Sequence, residues 1–208
     1  MDDMLKALLE QAICIGRSLY ERGKVSGSSA SMSFRYADHM YITVSGACFG
    51  CLTEDDFTPV SLCGAPRGDR KASEELPMHI PLYWRGEDTN AVIHAHTPYA
   101  SLWSCLPHTR SAAVIPPYTP WLQMKLGKVK LVPYAAPCTE EQYAAFHAAC
   151  DDADGYLLQN HGPLVAGKDL SDACCRLEEL EDSARIAWEL HREPDRRQML
   201  IAPYDGLL

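Results

Sequence analysis

Two histidines, His94 and His96, stand two residues apart in a run, residues 91–96, whose apolar members predict a buried strand. Residues two apart on a strand point to the same face, so both imidazoles would lie side by side, as two ligands of one metal ion do. A third histidine, His161, follows another strand-like run and precedes Gly162, which permits a sharp turn. His-x-His spacing also occurs without a metal, but three histidines so placed match the three protein ligands of a catalytic zinc site. The sequence therefore predicts a metal site.

The elements that must position these histidines alternate along the chain. Periodicity, capping residues and turn residues predict helices over residues 3–22, 73–85, 97–105, from 139 onward and 169–192, and strands near 32–36, 40–44, 57–62, 91–96, 129–134, 156–160 and 164–166. Ser73 is expected to cap the second helix, and Gln142 to complete a capping box with Thr139. Strands interleaved with helices, without a repeat or linker, predict one three-layer α/β domain over residues 1–208.

The composition excludes several classes of function. The 28 aspartates and glutamates outnumber the 19 lysines and arginines, for a formal charge of −9, so nucleic acid is not an expected partner. No apolar run approaches the roughly 18 residues of a membrane span, and the acidic first residues differ from a basic secretory signal. The 9 cysteines follow no regular spacing, and the Cys48-x-x-Cys51 pair lacks a second pair, so we interpret it as incidental. We expect a soluble, cytoplasmic protein without disulfides.

Several segments around the histidines resemble one protein family. Glu75-Leu76-Pro77-Met78-His79 lies upstream of the histidine pair, Asn160-His161-Gly162 lies downstream, and a long acidic helix follows. Over residues 5–192 this arrangement resembles the class II aldolase/adducin family. Four shorter segments are more similar to the 3-oxo-tetronate 4-phosphate decarboxylases of that family, namely residues 104–107, 116–117, 119–120 and 131–134. The resemblance implies a three-layer α/β/α domain of the class II aldolase type with a largely antiparallel central sheet.

The resemblance also implies roles for individual residues. His94, His96 and His161 match the zinc ligands of the family, with manganese or cobalt as alternative metals. Glu75 matches the carboxylate that acts as catalytic acid/base and that binds the metal when substrate is absent. Taken alone, Glu75 would be interpreted as a carboxylate favoured by the positive end of a helix dipole. Beside three metal ligands, a carboxylate whose pKa is governed by a cation and by burial suits proton transfer.

The implied chemistry is the breaking of a carbon–carbon bond. A metal that chelates a substrate carbonyl and the adjacent hydroxyl polarises the carbonyl, and the electrons released by cleavage form a metal-stabilised enediolate. Decarboxylation and retro-aldol cleavage share this intermediate, so the histidines do not distinguish them. We expect a zinc-dependent lyase that decarboxylates a keto acid similar to 3-oxo-tetronate 4-phosphate. The alternatives are an aldolase or epimerase acting on another hydroxy-carbonyl sugar, phosphorylated or unphosphorylated, and a non-catalytic module like the adducin heads.

The positions that match the family's phosphate site depart from its usual residues. That site commonly combines a Gly-Asn pair, a Thr/Ser-Gly pair and small or basic residues before the catalytic carboxylate. The matching residues here are Ala30, Ser31, Ser45, Gly46, Ser73 and Glu74. All of them except Ala30 are candidate substrate-binding residues. Glu74 places a negative charge where it would repel a phosphate. The substrate is therefore either unphosphorylated or held by one of the nearby cations, which are Arg35, Arg67, Arg70 and Lys71.

A proline-rich segment, residues 115–121, is expected to complete the site of a neighbouring subunit. Enzymes of the family use a tyrosine from that subunit as a proton donor, and the best alignment places Trp121 at its position. Indole exchanges no proton at neutral pH, so the nearby Tyr118 is the candidate donor. Prolines stiffen the segment and its aromatic residues suit an interface, so we expect a homotetramer. The alternative is that both aromatic side chains pack within their own chain.

Overall fold

A seven-stranded sheet lies at the centre of the structure, a computed structural model that describes residues 2–86, 88–107 and 114–193. The strands are β1 (Ala30–Tyr36), β2 (His39–Thr43), β3 (Phe57–Ser61), β4 (Ala91–Ala95), β5 (Val129–Val132), β6 (Gly155–Leu158) and β7 (Gly162–Gly167). Their order across the sheet is β3-β2-β1-β4-β7-β6-β5. The strands that carry or border the three histidines, β4 and β7, are therefore neighbours in the middle of the sheet.

The sheet is mixed. β5 runs parallel to β6, and the five other pairs of neighbouring strands are antiparallel. Parallel neighbours need a crossover connection, and here a helix over Glu140–Ala149 carries the chain back between β5 and β6. The expectation of a largely antiparallel sheet is corrected by this parallel pair. The periodicity of apolar residues within a strand predicts which side chains lie on each face of the sheet, but not whether the neighbouring strand runs parallel or antiparallel.

Helices cover both faces of the sheet. They are α1 (Asp3–Glu21), α2 (Leu76–Trp84), α3 (Pro98–Ser104), α4 (Trp121–Leu126), α5 (Glu140–Ala149) and α6 (Leu170–His191), with short 3-10 turns at Phe49–Cys51 and Glu54–Asp56. One apolar core packs α1, α3, α4 and α6 against one face, and a second packs α2 and α5 against the other. Neighbouring residues of β4 alternate between them, since Ile93 belongs to the first core and Val92 to the second. The described residues therefore form three layers.

Most predicted elements are confirmed, with ends that shift by one or two residues, but α2 and α4 differ. The prediction that Ser73 caps α2 is wrong, because the helix begins at Leu76 with Glu75 as its N-cap. The main-chain N–H of Ser73 donates instead to the carbonyl of Thr43 at 3.0 Å, which holds this segment beside the end of β2. The sequence predicts no helix at α4, which is only six residues long and lacks a side-chain N-cap.

The two longest helices, α1 and α6, carry exposed charged side chains such as Lys6 and Glu189. Within the described ranges, no helix is long and apolar enough to cross a membrane. The predicted domain also includes residues 1, 87, 108–113 and 194–208, which lie outside those ranges.

Candidate metal and catalytic site

Four side chains from separate parts of the chain converge where β4 ends. The ligand atoms of Glu75, His94, His96 and His161 lie within 4.8 Å of one another. Glu75 precedes α2, the histidine pair lies at the end of β4, and His161 precedes β7. The ring of His96 is centred 5.3 Å from that of His94 and 4.5 Å from that of His161. The structure therefore brings together the three predicted ligands and the predicted carboxylate.

His94 is fixed by the main chain at the start of β7. The side chain is buried, and its Nδ1–H donates to the carbonyl of Pro163 at 2.9 Å. A neutral imidazole carries one N–H, so this bond leaves Nε2 unprotonated. That Nε2 lies 3.2 Å from Nε2 of His161 and 3.2 Å from Oε2 of Glu75. The free lone pair of His94 thus points into the cluster.

The side chain of Gln142 holds the ring of His161. Its Nε2 lies 2.9 Å from Nδ1 of His161, and its Oε1 accepts the main-chain N–H of Cys138 at 2.7 Å. Thr139 caps α5 by accepting the N–H of Gln142, as predicted, but the Gln142 side chain does not complete the capping box. It reaches a residue 19 positions away, a contact that local spacing does not encode. Partners of this kind orient metal ligands and tune their basicity.

All three histidines are neutral at pH 7. Burial lowers the pKa of His161 to about 4, with a further contribution from His96, and lowers the pKa of His94 well below its ordinary value. Burial also lowers the pKa of His96, although this side chain reaches solvent. Neutral imidazole is the form that binds a metal, so none of the three rings carries a positive charge that would repel a cation at neutral pH.

Glu75 carries a carboxylate whose pKa lies close to neutral. Burial raises the pKa to about 7, a hydrogen bond from Ser31 opposes the rise, and the nearby charge of Glu74 adds to it. Its oxygens lie 3.2 Å from Nε2 of His94 and 3.7 Å from Nε2 of His161. Among the described residues, no lysine or arginine pairs with Glu75. Three neutral imidazoles and one unpaired carboxylate fit a divalent cation of the zinc type.

Close packing of β4 against the start of β7 brings His161 to the histidine pair. A Cβ atom on Gly162 would lie 2.5 Å from the carbonyl oxygen of Ala95, so a larger residue would force the strands apart. The sharp turn predicted at Gly162 is made instead by Asn160, whose φ is 54°. Glycine is needed here for the close approach and not for the turn.

Four predicted substrate-binding residues gather beside the cluster. The hydroxyl of Ser45 donates to the carboxylate of Glu74 at 2.9 Å, and Nζ of Lys71 lies 2.6 Å from the same carboxylate. These contacts, Lys71 first and then Ser45, lower the pKa of Glu74. Gly46, with a φ of 76°, and Ser73 lie on the two segments that carry this pair. A carboxylate of the protein therefore lies among the positions that match the family's phosphate site.

Ser31, the fifth predicted substrate-binding residue, lies beneath Glu75. It is fully buried, and its hydroxyl lies 3.3 Å from Oε2 of Glu75 and 2.9 Å from Nε2 of His79. Its contacts are thus with the protein, and its role toward a substrate stays a prediction. The spacing of His79 along the sequence predicts no role for it, because the serine that it contacts, Ser31, lies on β1, far away in the sequence.

Each of the four cations considered as phosphate ligands has a protein partner. The partners are the carbonyl of Tyr83 for Arg35, the carboxylate of Asp38 for Arg67, the carbonyl of Asp55 for Arg70 and the carboxylate of Glu74 for Lys71. Of these four, Lys71 is the one whose partner belongs to the predicted substrate-binding residues. A phosphate there would compete with Glu74 for Lys71.

The segment of residues 115–121 leads directly into α4. Tyr118 is half-buried against the core that contains α1 and α6. Its side chain therefore packs in part within its own chain, as the alternative to an intersubunit role predicts. Trp121, the first residue of α4, is 53% exposed. Donation of a proton by Tyr118 to a neighbouring subunit's site stays a prediction.

The fold and the cluster agree with a match to a known family. Residues 10–188 match the family model described as the Class II Aldolase and Adducin N-terminal domain. The protein belongs to the class II aldolase and adducin family, and the resemblance seen in its sequence is confirmed.

Relatives within this family carry names from two related reactions. A 3-oxo-tetronate 4-phosphate decarboxylase of Escherichia coli (strain K12) is 33% identical in an alignment of 200 residues that covers 94% of each chain. An L-fuculose phosphate aldolase of Methanococcus maripaludis (strain C7) is 33% identical over 81% of this chain and 89% of the relative. The crystal structure of YgbL from Escherichia coli has a TM-score of 0.87 and 32% identity, and the match covers 92% of this chain and 93% of YgbL. Both named reactions break carbon–carbon bonds.

Proposed function

We propose that the protein is a metal-dependent lyase that decarboxylates a keto acid similar to 3-oxo-tetronate 4-phosphate. The observation that carries this proposal is the convergence of ligand atoms from Glu75, His94, His96 and His161 within 4.8 Å. The similarity to a decarboxylase over 94% of the chain supports the reaction. Three imidazole ligands favour zinc, with manganese and cobalt as the alternatives.

The cation and the residues of the chain have separate roles in the proposed reaction. A bound divalent cation supplies Lewis acidity toward a substrate carbonyl. Glu75 holds and returns the proton, because its carboxylate lies beside the ligand nitrogens of His94 and His161. In a decarboxylation, the carbon that loses carbon dioxide takes up a proton, and Glu75 is placed to donate it.

Metal content and product analysis test this proposal together. We expect the purified protein to hold stoichiometric metal by elemental analysis, and His94→Ala to lose it while staying folded by circular dichroism. The metal-loaded protein should release carbon dioxide from 3-oxo-tetronate 4-phosphate. Aldehyde release from a sugar phosphate, without carbon dioxide, would identify an aldolase instead. A folded protein that binds no metal would overturn the proposal and favour a non-catalytic module.

A second candidate function is a lyase or epimerase that acts on an unphosphorylated sugar acid or sugar. The contact that favours it is the carboxylate of Glu74, which engages Ser45 at 2.9 Å and Lys71 at 2.6 Å within the predicted phosphate positions. A phosphate would have to displace that carboxylate, and like charges at contact repel unless water screens them.

Competition by inorganic phosphate distinguishes the two candidates. If the substrate is unphosphorylated, phosphate should not inhibit the wild-type protein, and Glu74→Gln should create inhibition by freeing Ser45 and Lys71. If the substrate carries phosphate, the wild-type protein should already be inhibited, and Lys71→Met should weaken that inhibition. Lys71→Met keeps the aliphatic stem and removes the charge.

We also propose that the site is completed between subunits of a homotetramer. The exposed indole of Trp121 supports this, together with the exposed Met124 on the same helix, which is 41% exposed. Large apolar side chains left exposed on a single chain are typical of interaction surfaces. Sedimentation velocity checks the assembly, and a fully active monomer would contradict it.

A further inference from the structure

A buried chain of hydrogen bonds leads from the catalytic carboxylate into the protein. The hydroxyl of Ser31 lies 3.3 Å from Oε2 of Glu75 and 2.9 Å from Nε2 of His79. The other ring nitrogen of His79, Nδ1, lies 2.8 Å from the hydroxyl of Ser33, which lies 2.8 Å from the hydroxyl of Tyr83. The four side chains that support Glu75 are all buried.

The chain of contacts follows from two periodicities. Ser31 and Ser33 are two residues apart on β1 and face the same side of the sheet, while Glu75, His79 and Tyr83 are spaced by four residues along α2 and its N-cap. The two rows therefore interleave. Elsewhere this side of the sheet is filled by apolar residues such as Met78 and Val92. Burying five polar groups in that core is costly unless each is hydrogen-bonded.

Counting protons gives the chain one direction. The single hydroxyl hydrogen of Ser31 is donated to Oε2 of Glu75, so the Ser31 oxygen accepts Nε2–H of His79. Burial holds His79 neutral by lowering its pKa to about 3, so His79 carries one N–H and its Nδ1 accepts from Ser33. Ser33 in turn accepts from Tyr83. Every donor in the chain then points toward the carboxylate.

We propose that His79 is a positioning residue for Glu75. In this arrangement Tyr83 and Ser33 select the tautomer of His79 with its proton on Nε2, and that proton turns the Ser31 hydroxyl toward the carboxylate. Glu75 is thereby held toward Nε2 of His94. This inference rests on the proposed role of Glu75 as acid/base, but the tautomer of His79 is a property of the protein alone.

The tautomer can be measured without any reaction. Nitrogen-15 NMR of histidine-labelled, metal-free protein distinguishes a protonated ring nitrogen from an unprotonated one, and His79→Gln identifies the signals of His79. We expect Nδ1 of His79 to be unprotonated in the wild-type protein. Tyr83→Phe should shift His79 toward a mixture of tautomers. The matched control is Tyr156→Phe, which removes another buried hydroxyl from the same core, where its partners are Asp151 and Arg85. An Nδ1–H tautomer in the wild-type protein, or equal shifts in both variants, would overturn the inference.

Kinetics of the metal-loaded protein test the positioning itself. His79→Leu removes the donor at similar size, and we expect kcat to fall about 10-fold to 100-fold with KM and metal content unchanged, because a displaced catalytic group loses most of its rate advantage. His79→Gln offers an amide N–H to Ser31 and should recover most of the loss. Equal losses in both variants, or none in His79→Leu, would contradict positioning.

Two further measurements keep this test decisive. If His79→Leu does not fold, Ser31→Ala replaces it, and an unchanged kcat in Ser31→Ala would contradict the inference. If the wild-type protein turns over no tested substrate, the proposed function fails by itself, and the tautomer of His79 then decides the inference.

Discussion

The two ends of the central strands β4 and β7 both gather ionisable side chains, but in different ways. At the end where Ala91 pairs with Gly167, the carboxylate of Asp154 binds two guanidinium groups. One is that of Arg85, at 2.7 Å, and the other is that of Arg176. At the other end, Glu75 and three histidines converge without a lysine or arginine among the described residues. Helix α2 joins the two ends, since Glu75 is its N-cap and Arg85 its C-cap.

This difference separates a structural cluster from a candidate functional one. The charges around Asp154 are balanced within the same chain, because a second carboxylate, that of Asp172, pairs with Arg176 at 2.9 Å, so that cluster is complete when the protein folds. The histidine cluster holds a carboxylate that no lysine or arginine among the described residues balances, beside the unprotonated Nε2 of His94, so a cation from outside would complete its charge. An ionisable cluster that is incomplete in the folded chain is the better candidate for a site.

Removal of the carboxylate at the incomplete end should have the largest effect. We expect Glu75→Gln to lower kcat by roughly 10²-fold to 10⁴-fold, the usual contribution of a general acid/base, while metal content stays measurable by elemental analysis. The neighbouring variant Glu74→Gln is the control, since Glu74 contacts Lys71 and Ser45 and not the histidines. Its loss should be much smaller, and equal losses would count against Glu75 as the acid/base.

Changes to the partner of His161 should have the next largest effect, on metal affinity. In the wild-type protein the Gln142 amide donates to Nδ1 of His161, which keeps the ring proton on the ligand atom Nε2, so Gln142→Leu should not weaken metal binding, as measured by competition with a chelator. Gln142→Glu should bind metal about 10-fold to 100-fold more tightly than the wild-type protein, because a carboxylate can accept both Nδ1–H and the N–H of Cys138 and leaves Nε2 of His161 without a proton. Weaker binding by Gln142→Glu than by Gln142→Leu would contradict this account.

Sequence reasoning located the histidine cluster and most of the elements because both depend on short-range patterns. The alternation of apolar residues in β1, the apolar run of β4, and the side-chain caps Thr139 of α5 and Asp169 of α6 are visible within a few residues. His94 and His96 are close in sequence, and His161 is marked by the strand-like run before it and by Gly162 after it, whereas the resemblance to a known family gave Glu75 its role.

The features that were not predicted depend on contacts between distant segments. Ser73 has the composition of a helix cap, but its main chain bonds to Thr43 and the helix begins later. Gln142 has the spacing of a capping box, but its side chain reaches His161. The hydrogen bonds of His79 join α2 to β1, and no pattern in the residues near His79 predicts them. The spacing of residues along a helix or strand predicts which side chains share a face. The residues that this face contacts are determined by the tertiary fold.

The smallest of these effects is expected at the balanced end. Asp154→Asn leaves two guanidinium groups, each 18% exposed, without their shared charge partner. Partly buried pairs lie between surface pairs and fully buried ones in strength, so the free energy of unfolding should fall by about 1–2 kcal/mol. Urea denaturation measures this, and Asp38→Asn, which breaks the exposed pair with Arg67, should change stability less. Metal affinity and kcat should match the wild-type values in Asp154→Asn, since α2 is anchored independently at Glu75 by Ser31. A loss of metal binding in Asp154→Asn would show that the two ends are coupled through α2, and the division between a structural and a functional cluster would then fail.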